Sequence, residues 1–241
     1  MIKKIYAVLA SLVLVAASWL VLAPAASAAP TVPVGPGTGI SNTSGVTPSF
    51  GACSIAAVGR DSANRLVAIT AGHCQSRPGV VAPPGAPVYK STTGQAIGWF
   101  TDINSWGGGN PPSPVLDYAV IHLDENVVIP RSTSEDGQLT VNSVGTANLW
   151  NNVCKNGIGT GNTCGLVNGT STPNKAFTSW AVANAGDSGG GTVLAGTGTL
   201  VGYVLGGNAV VPTNFIYQKI LPVLSDITAR GSFGAGFTPV P

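Results

Sequence analysis

The stretch "NAGDSGGG" at 184–191 sets a small hydroxyl, Ser188, between an acid and a run of glycines. A serine hydroxyl is a weak nucleophile at neutral pH. It needs a base within hydrogen-bond reach and an acid that orients the base. Histidine is the natural base, and the candidates are His73 and His122. His73 lies in "AITAGHC", where an apolar run ends between Gly72 and Cys74, a place to hold a side chain at the rim of a sheet. His122 lies inside the alternating run "YAVIHL" and reads as an ordinary strand residue. Among the acids, Asp117 opens "DYAVIHL" at the mouth of an apolar strand, where it can be partly buried and still accept an imidazole N–H. Asp61, Asp102, Asp124, Asp136 and Asp226 lie in or near loop-like stretches and read as solvated. Asp187 adjoins Ser188 in sequence, and adjacent residues rarely face each other, so a structural role suits its carboxylate. Gly186 lets the backbone turn so that the N–H groups of Gly186 and Ser188 converge as an oxyanion hole. Gly189 and Gly190 leave room for a substrate backbone. The chemistry these residues could perform is acyl transfer through a serine nucleophile. No CxxC and no clustered histidine is present, so a zinc site is not expected, and no other cofactor is implied.

These groups need a scaffold that brings distant residues together. Charged residues make up 8% of the chain, while Gly alone counts 33. Scarce charge with abundant Gly, Ser, Thr, Ala and Val suits short strands and tight turns. Residues 1–29 read as a secretory signal: Lys3 and Lys4, then an apolar core, then "APAASAAP" with Ala28 or Ala29 before the cut. Without those two lysines, nine basic residues face nine acidic ones. No basic patch for nucleic acid is visible, and no other stretch is long and apolar enough for a membrane span. Residues 30–50, rich in Pro, Gly, Ser and Thr, read as a flexible N-terminal arm. From Cys53 on, apolar runs alternate with turn residues: "CSIAAV", "RLVAIT", "GQAIGWF" and "YAVIHL", then "LTVNSV", "CGLV", "AFTSW", "GTVLAG", "LVGYVLG" and "NFIYQ". A first β-barrel over 51–130 and a second over 131–241 fit the two sets. "LPVLSDITARG" carries Pro222 in a tolerated first turn and Gly231 as a stop, which predicts one short C-terminal helix. Cys53, Cys74, Cys154 and Cys164 suggest disulfides in an exported chain. Three pairings are possible; the close pairs 53–74 and 154–164 are preferred because they close short loops.

"TAGHC", "DYAVI" and "GDSGG", in that order, resemble the chymotrypsin-like (trypsin-like) serine proteases. The likeness is greatest to the secreted bacterial streptogrisin and α-lytic type, whose small disulfide loop "VCKNGIGTGNTCG" at 153–165 resembles. The resemblance spans about residues 50–230. It implies an all-β fold of two six-stranded antiparallel barrels packed face to face, with the site in the cleft. It implies Ser188 as nucleophile, His73 as general base and acid, Asp117 as orienting acid, and the Gly186 and Ser188 N–H groups as oxyanion hole. It also implies the Cys53–Cys74 bridge beside the histidine. "GYVLGG" at 202–207 matches the substrate-lining strand, with Leu205 where the family has a serine that helps hold the acid. The stretch before Ser188 lacks a further Cys pair, no folded pro-segment fits between the signal and Cys53, and no "IVGG"-like start is present. The pocket is expected at Val182, Ala183, Val204, Leu205 and Gly206. It has no acid to pair with Lys or Arg and no His to receive Glu. The expected activity is that of a secreted, monomeric serine endopeptidase, acting on peptides or proteins after small or medium apolar, or aromatic, residues. The alternative is a weak or inactive protease-like binding or adhesion protein. An esterase of another fold would need a helix after "GDSGG", where β signals follow instead.

Overall fold

The computed structural model describes residues 31–77, 79, 81–105, 116–129, 134, 138–171, 175–207 and 214–240. The signal reading at 1–29 and Asp136 lie outside the described residues.

The strands run in chain order as β1 (Val32–Pro33), β2 (Gly39–Ser41), β3 (Cys53–Ser54), β4 (Ala57–Arg60), β5 (Leu66–Thr70), β6 (Pro87–Lys90), β7 (Ala96–Asn104), β8 (Tyr118–Leu123) and β9 (Val127–Val128). They continue with β10 (Ser143–Val144), β11 (Asn152–Lys155), β12 (Thr163–Ser171), β13 (Ala176–Ser179), β14 (Gly191–Leu194), β15 (Thr199–Gly207) and β16 (Phe215–Lys219). Helix α1 (Ile220–Arg230) follows, and β17 (Thr238–Pro239) ends the chain.

Two sheets result. The first has the order β17-β4-β5-β8-β7-β6-β2-β3. Its β3 and β4 belong to one continuous run, 53–60. That run pairs with β2 through Ile40↔Cys53 and with β5 through Ala57↔Ile69. One bent segment thus pairs toward both ends of the sheet and curves it round on itself. The second sheet has the order β10-β15-β14-β11-β12-β13-β16, and β15 also pairs with β16. That extra pairing closes β11–β16 into a six-stranded barrel. The architecture is the expected all-β, two-barrel one with a single short C-terminal helix.

Successive side chains alternate between the faces of a strand. In the first sheet both faces are buried, with Val67, Ile69 and Val120 on one and Phe100 and Ile121 on the other; Val153, Val167, Phe177, Val201 and Tyr217 form the apolar cluster of the second. The larger apolar cluster does not stop at the first barrel. It includes Tyr203, Leu205 and Ile216 of the second, together with Ile220, Val223 and Ile227 of α1. The helix ends at Gly231, which takes φ 63° as the left-handed cap.

Two expectations need correction. Residues 31–41 do not form a loose arm. Val32 and Val34 are buried, β1 pairs with β9, and β2 lies between β3 and β6. Pro and Gly break this segment into strands too short for a periodic signal, yet its few apolar side chains all reach the core. Nor does the second barrel own the chain's end: β17 pairs with β4, through Thr238↔Arg60, on the first sheet. Both preferred disulfides are present, Cys53–Cys74 and Cys154–Cys164. The second lies directly across β11 and β12.

Candidate active site

Strand pairing explains how residues 44 apart come together. β5 and β8 are antiparallel, with Thr70↔Ala119 in register. The end of β5 therefore lies beside the start of β8. The turn after β5, a 3₁₀ segment Gly72–Ser76, carries His73; Asp117 immediately precedes β8. The His73 backbone N–H donates to Asp117 Oδ1 at 2.9 Å, and Nδ1 lies 2.5 Å from Oδ2. An ionised carboxylate only accepts hydrogen bonds, so Nδ1 carries a proton, and in the neutral ring Nε2 then holds the lone pair. Both residues are buried, His73 at 4% and Asp117 at 1% exposure. Tyr203 Oη donates to the Asp117 carbonyl at 2.7 Å, and the Asp117 N–H donates to Gln218 Oε1 at 3.4 Å. These contacts come from the second barrel. They hold the acid's backbone, while Leu205 offers it no polar group.

Ser188 comes from the connection between β13 and β14. Its carbonyl accepts from the Ser54 N–H at 2.8 Å. Ser54 Oγ donates to the Gly186 carbonyl at 2.8 Å and accepts from the Ile158 N–H at 3.0 Å. One buried serine of the first barrel thus clamps two segments of the second. Asp187 faces away from Ser188 chemistry. Its carboxylate accepts from the N–H groups of Gly159, Thr160 and Asn184 and from Thr160 Oγ1, and it pairs with Lys155 Nζ at 2.9 Å. Burial pushes the Lys155 ammonium below its ordinary value, against the pull of Asp187.

The turn 184–190 directs its amides in two ways. Asp187, Gly189 and Gly190 donate to Asn184, Val204 and Asp187 carbonyls. Among the described residues, the N–H groups of Gly186 and Ser188 have no acceptor. Gly186 takes φ +97°, and a Cβ there would stand 2.5 Å from the Ser49 carbonyl oxygen. Only glycine suits that position.

His73 and Ser188 open on one cavity of about 400 Å³. Ala183, Asn184 and Ala185 form part of its wall, Leu205, Gly206 and Gly207 another, and Phe215 and Arg77 complete it. Strand β14 leaves β15 after Gly191↔Tyr203, so among the described residues 205–207 have β16 as their one strand neighbour and keep a free edge. An extended peptide can add to such an edge as a further strand. Of the expected pocket residues, Ala183, Leu205 and Gly206 line this cavity. Val182 does not; it is 50% exposed. Val204 does not either, because it packs inside the second barrel with Phe177 and Tyr217. Inward and outward positions alternate along β15, and a register shift between Val204 and Gly206 sets which ones face the cleft.

His122 stands apart on β8, paired with Val67 of β5 and tilted against Trp99, with ring centroids 4.2 Å apart. Asp61 is buried, not solvated, and pairs with Arg65 at 2.7 Å. Sequence reading missed Ser54, Lys155, Tyr203, Gln218, Arg77 and Phe215. One of these had a signal. Between 138 and 207 the charged residues are Lys155, Lys175 and Asp187. A buried acid beside Ser188 therefore had few possible counter-charges.

No protein-family profile matches the chain, and no curated protein matches it in sequence. Its shape is nonetheless shared. Nocardiopsis protease is 22% identical, with a TM-score of 0.59 over 81% of this chain and 96% of that one. Thermobifida fusca Protease A is 20% identical, with a TM-score of 0.61 over 86% and 100%. An α-lytic protease homologue, N4, is 22% identical, with a TM-score of 0.58 over 84% and 99%. The polypeptide has the fold of the chymotrypsin-like serine proteases.

Proposed function

We propose that the chain is a secreted serine endopeptidase that hydrolyses peptide bonds through an acyl-enzyme. The observation that carries this reading is the buried His73–Asp117 pair opening on the same cavity as Ser188, beside the free N–H groups of Gly186 and Ser188. Ser188 Oγ attacks the scissile carbonyl carbon while His73 Nε2 takes its proton. Asp117 holds the imidazole in the right tautomer and stabilises the imidazolium. The two amides receive the oxyanion as it forms. The imidazolium then protonates the leaving amine, and the C–N bond breaks. Water repeats the sequence on the ester and frees Ser188. The acyl part of the substrate lies along the free edge at 205–207. Its last side chain enters between Ala183 and Leu205 with Phe215 behind, which suits small or medium apolar, or aromatic, residues. Export follows from the leader at 1–29, and the protein acts as a monomer.

The test is labelling of the folded protein with a fluorophosphonate, beside Ser188→Ala, followed by a panel of peptide nitroanilides. Labelling of the wild type alone is expected, with turnover fastest after apolar residues. Loss of Ser188 is expected to lower turnover by a factor on the order of 10³ or more. No labelling of the wild type would turn the reading toward a binding protein. Fastest turnover of the arginine nitroanilide would remove the pocket assignment.

A further inference from the structure

Among the described residues that line the cavity shared by His73 and Ser188, Arg77 is the one with a permanent charge; the others are His73 and uncharged groups. It caps the 3₁₀ segment that carries His73, four residues after the histidine. Its backbone is fixed on both sides. The N–H donates to the Cys74 carbonyl, and the carbonyl accepts from the Asn42 N–H, each at 3.2 Å. The side chain is exposed. Among the described residues it makes no ion pair, whereas Arg65, Lys155 and Arg230 each hold an aspartate. A guanidinium that is always ionised, forked for a carboxylate and without an ion-pair partner among the described residues is a ready receptor for an acid on the substrate.

Its position decides which part of the substrate it meets. The free edge at 205–207 and the pocket wall at 183–185 belong to the second barrel and take the acyl part. Arg77 belongs to the first barrel, beyond His73, next to Asn42 and the Cys53–Cys74 bridge. The leaving group departs from the carbonyl toward that side. We infer that Arg77 makes the enzyme prefer an acidic residue, Glu or Asp, immediately after the scissile bond. Arg77 is thus a specificity-determining residue, and the inference rests on the endopeptidase reading above.

The test uses C-terminally amidated peptides that share one apolar residue before the scissile bond and differ only in the next residue: Glu, Gln or Lys. Amidation removes the terminal carboxylate as a competing partner. Each kcat/KM is divided by the same variant's turnover of a nitroanilide, which has no residue after the scissile bond. The expected order in the wild type is Glu, then Gln, then Lys, with Glu about three- to tenfold above Gln. Arg77→Gln is expected to level the series, and Arg77→Glu to place Lys first. Equal rates across the series in the wild type, or a Glu preference that survives in Arg77→Gln, would overturn the inference while leaving the endopeptidase intact. So would a change of preference confined to the residue before the bond. Absence of nitroanilide turnover in the wild type would instead overturn the endopeptidase reading, and this inference with it.

Discussion

Lys155 carries its ammonium to a place with no solvent exposure, where Asp187 is its counter-charge and the Gly161 carbonyl and Thr160 Oγ1 accept its other hydrogen bonds. Removing one member of such a pair leaves the other charge uncompensated, which costs about 3–5 kcal/mol. Lys155→Met is therefore expected to lower thermal stability severely. It should also slow fluorophosphonate labelling, because Asp187 anchors the turn whose amides flank Ser188. A melting curve and a labelling rate check this; a stable variant labelled at the wild-type rate would show that the turn holds without the pair. Tyr203→Phe is a milder change. It deletes the hydroxyl on the Asp117 carbonyl at a cost of about 1 kcal/mol. The expected kinetic effect is a several-fold fall in kcat with KM little changed, since the phenol orients the acid and meets no substrate. Ser188, His73 and Asp117 were legible in the sequence because each sits in a short motif whose neighbours share its purpose. Ser54, Tyr203 and Gln218 were not, because their partners lie 132, 86 and 101 residues away and only the fold makes them neighbours.

Strand β8 shows how one element positions the candidate site at one end and packs a buried imidazole at the other. Its start follows Asp117; near its end His122 lies between Trp99 and Phe233. Burial holds the His122 imidazole below its ordinary value, against the pull of Asp124 and Asp61 and with the push of Arg65. Its Nδ1 is buried with no hydrogen-bond partner among the described residues. The unfolded chain thus takes up a proton at a higher pH, near 6.5, than the folded one. The stability that neutral His122 contributes is present above pH of about 6.5 and is lost as the pH falls through the lowered value. Between pH 7.5 and 5, the melting temperature is expected to fall more for the wild type than for His122→Gln. Parallel curves would assign the acid sensitivity elsewhere. The paired acids Asp61 and Asp226 do not compete in this window. Burial raises their values, but the bonds from Arg65 and from Tyr118 and Arg230 more than offset it, so they titrate lower still. β5, β8, β15 and α1 were readable as elements because they are long and periodic. β2, β6 and β11 escaped, since runs such as "GIS" and "NVCK" are too short or too mixed to show a period.

At the scale of the molecule, the two barrels share their most important contacts. His73 and Asp117 come from one and Ser188 from the other. Ser54 ties Gly186 and Ser188 across the boundary, Tyr203 reaches back to Asp117, and Tyr118 Oη donates to Asp226 of α1 at 2.8 Å. One apolar cluster runs through both, and β17 returns the end of the chain to the first sheet. Neither barrel can open without exposing part of the other's core, which favours a single cooperative transition. In urea, nitroanilide turnover, tryptophan fluorescence and far-UV circular dichroism are expected to fall together at one midpoint. The disulfides set where that midpoint lies. Cys53–Cys74 spans 21 residues and Cys154–Cys164 spans 10, and each bridge is worth about 3 kcal/mol on loop-closure grounds. Reduction should therefore lower the midpoint markedly and leave the signals coincident, because the shared core and the Ser54 clamp persist without the bridges. If turnover instead vanished at low urea while fluorescence held, the cleft would be a separately melting unit held together by the Cys53–Cys74 bridge beside His73.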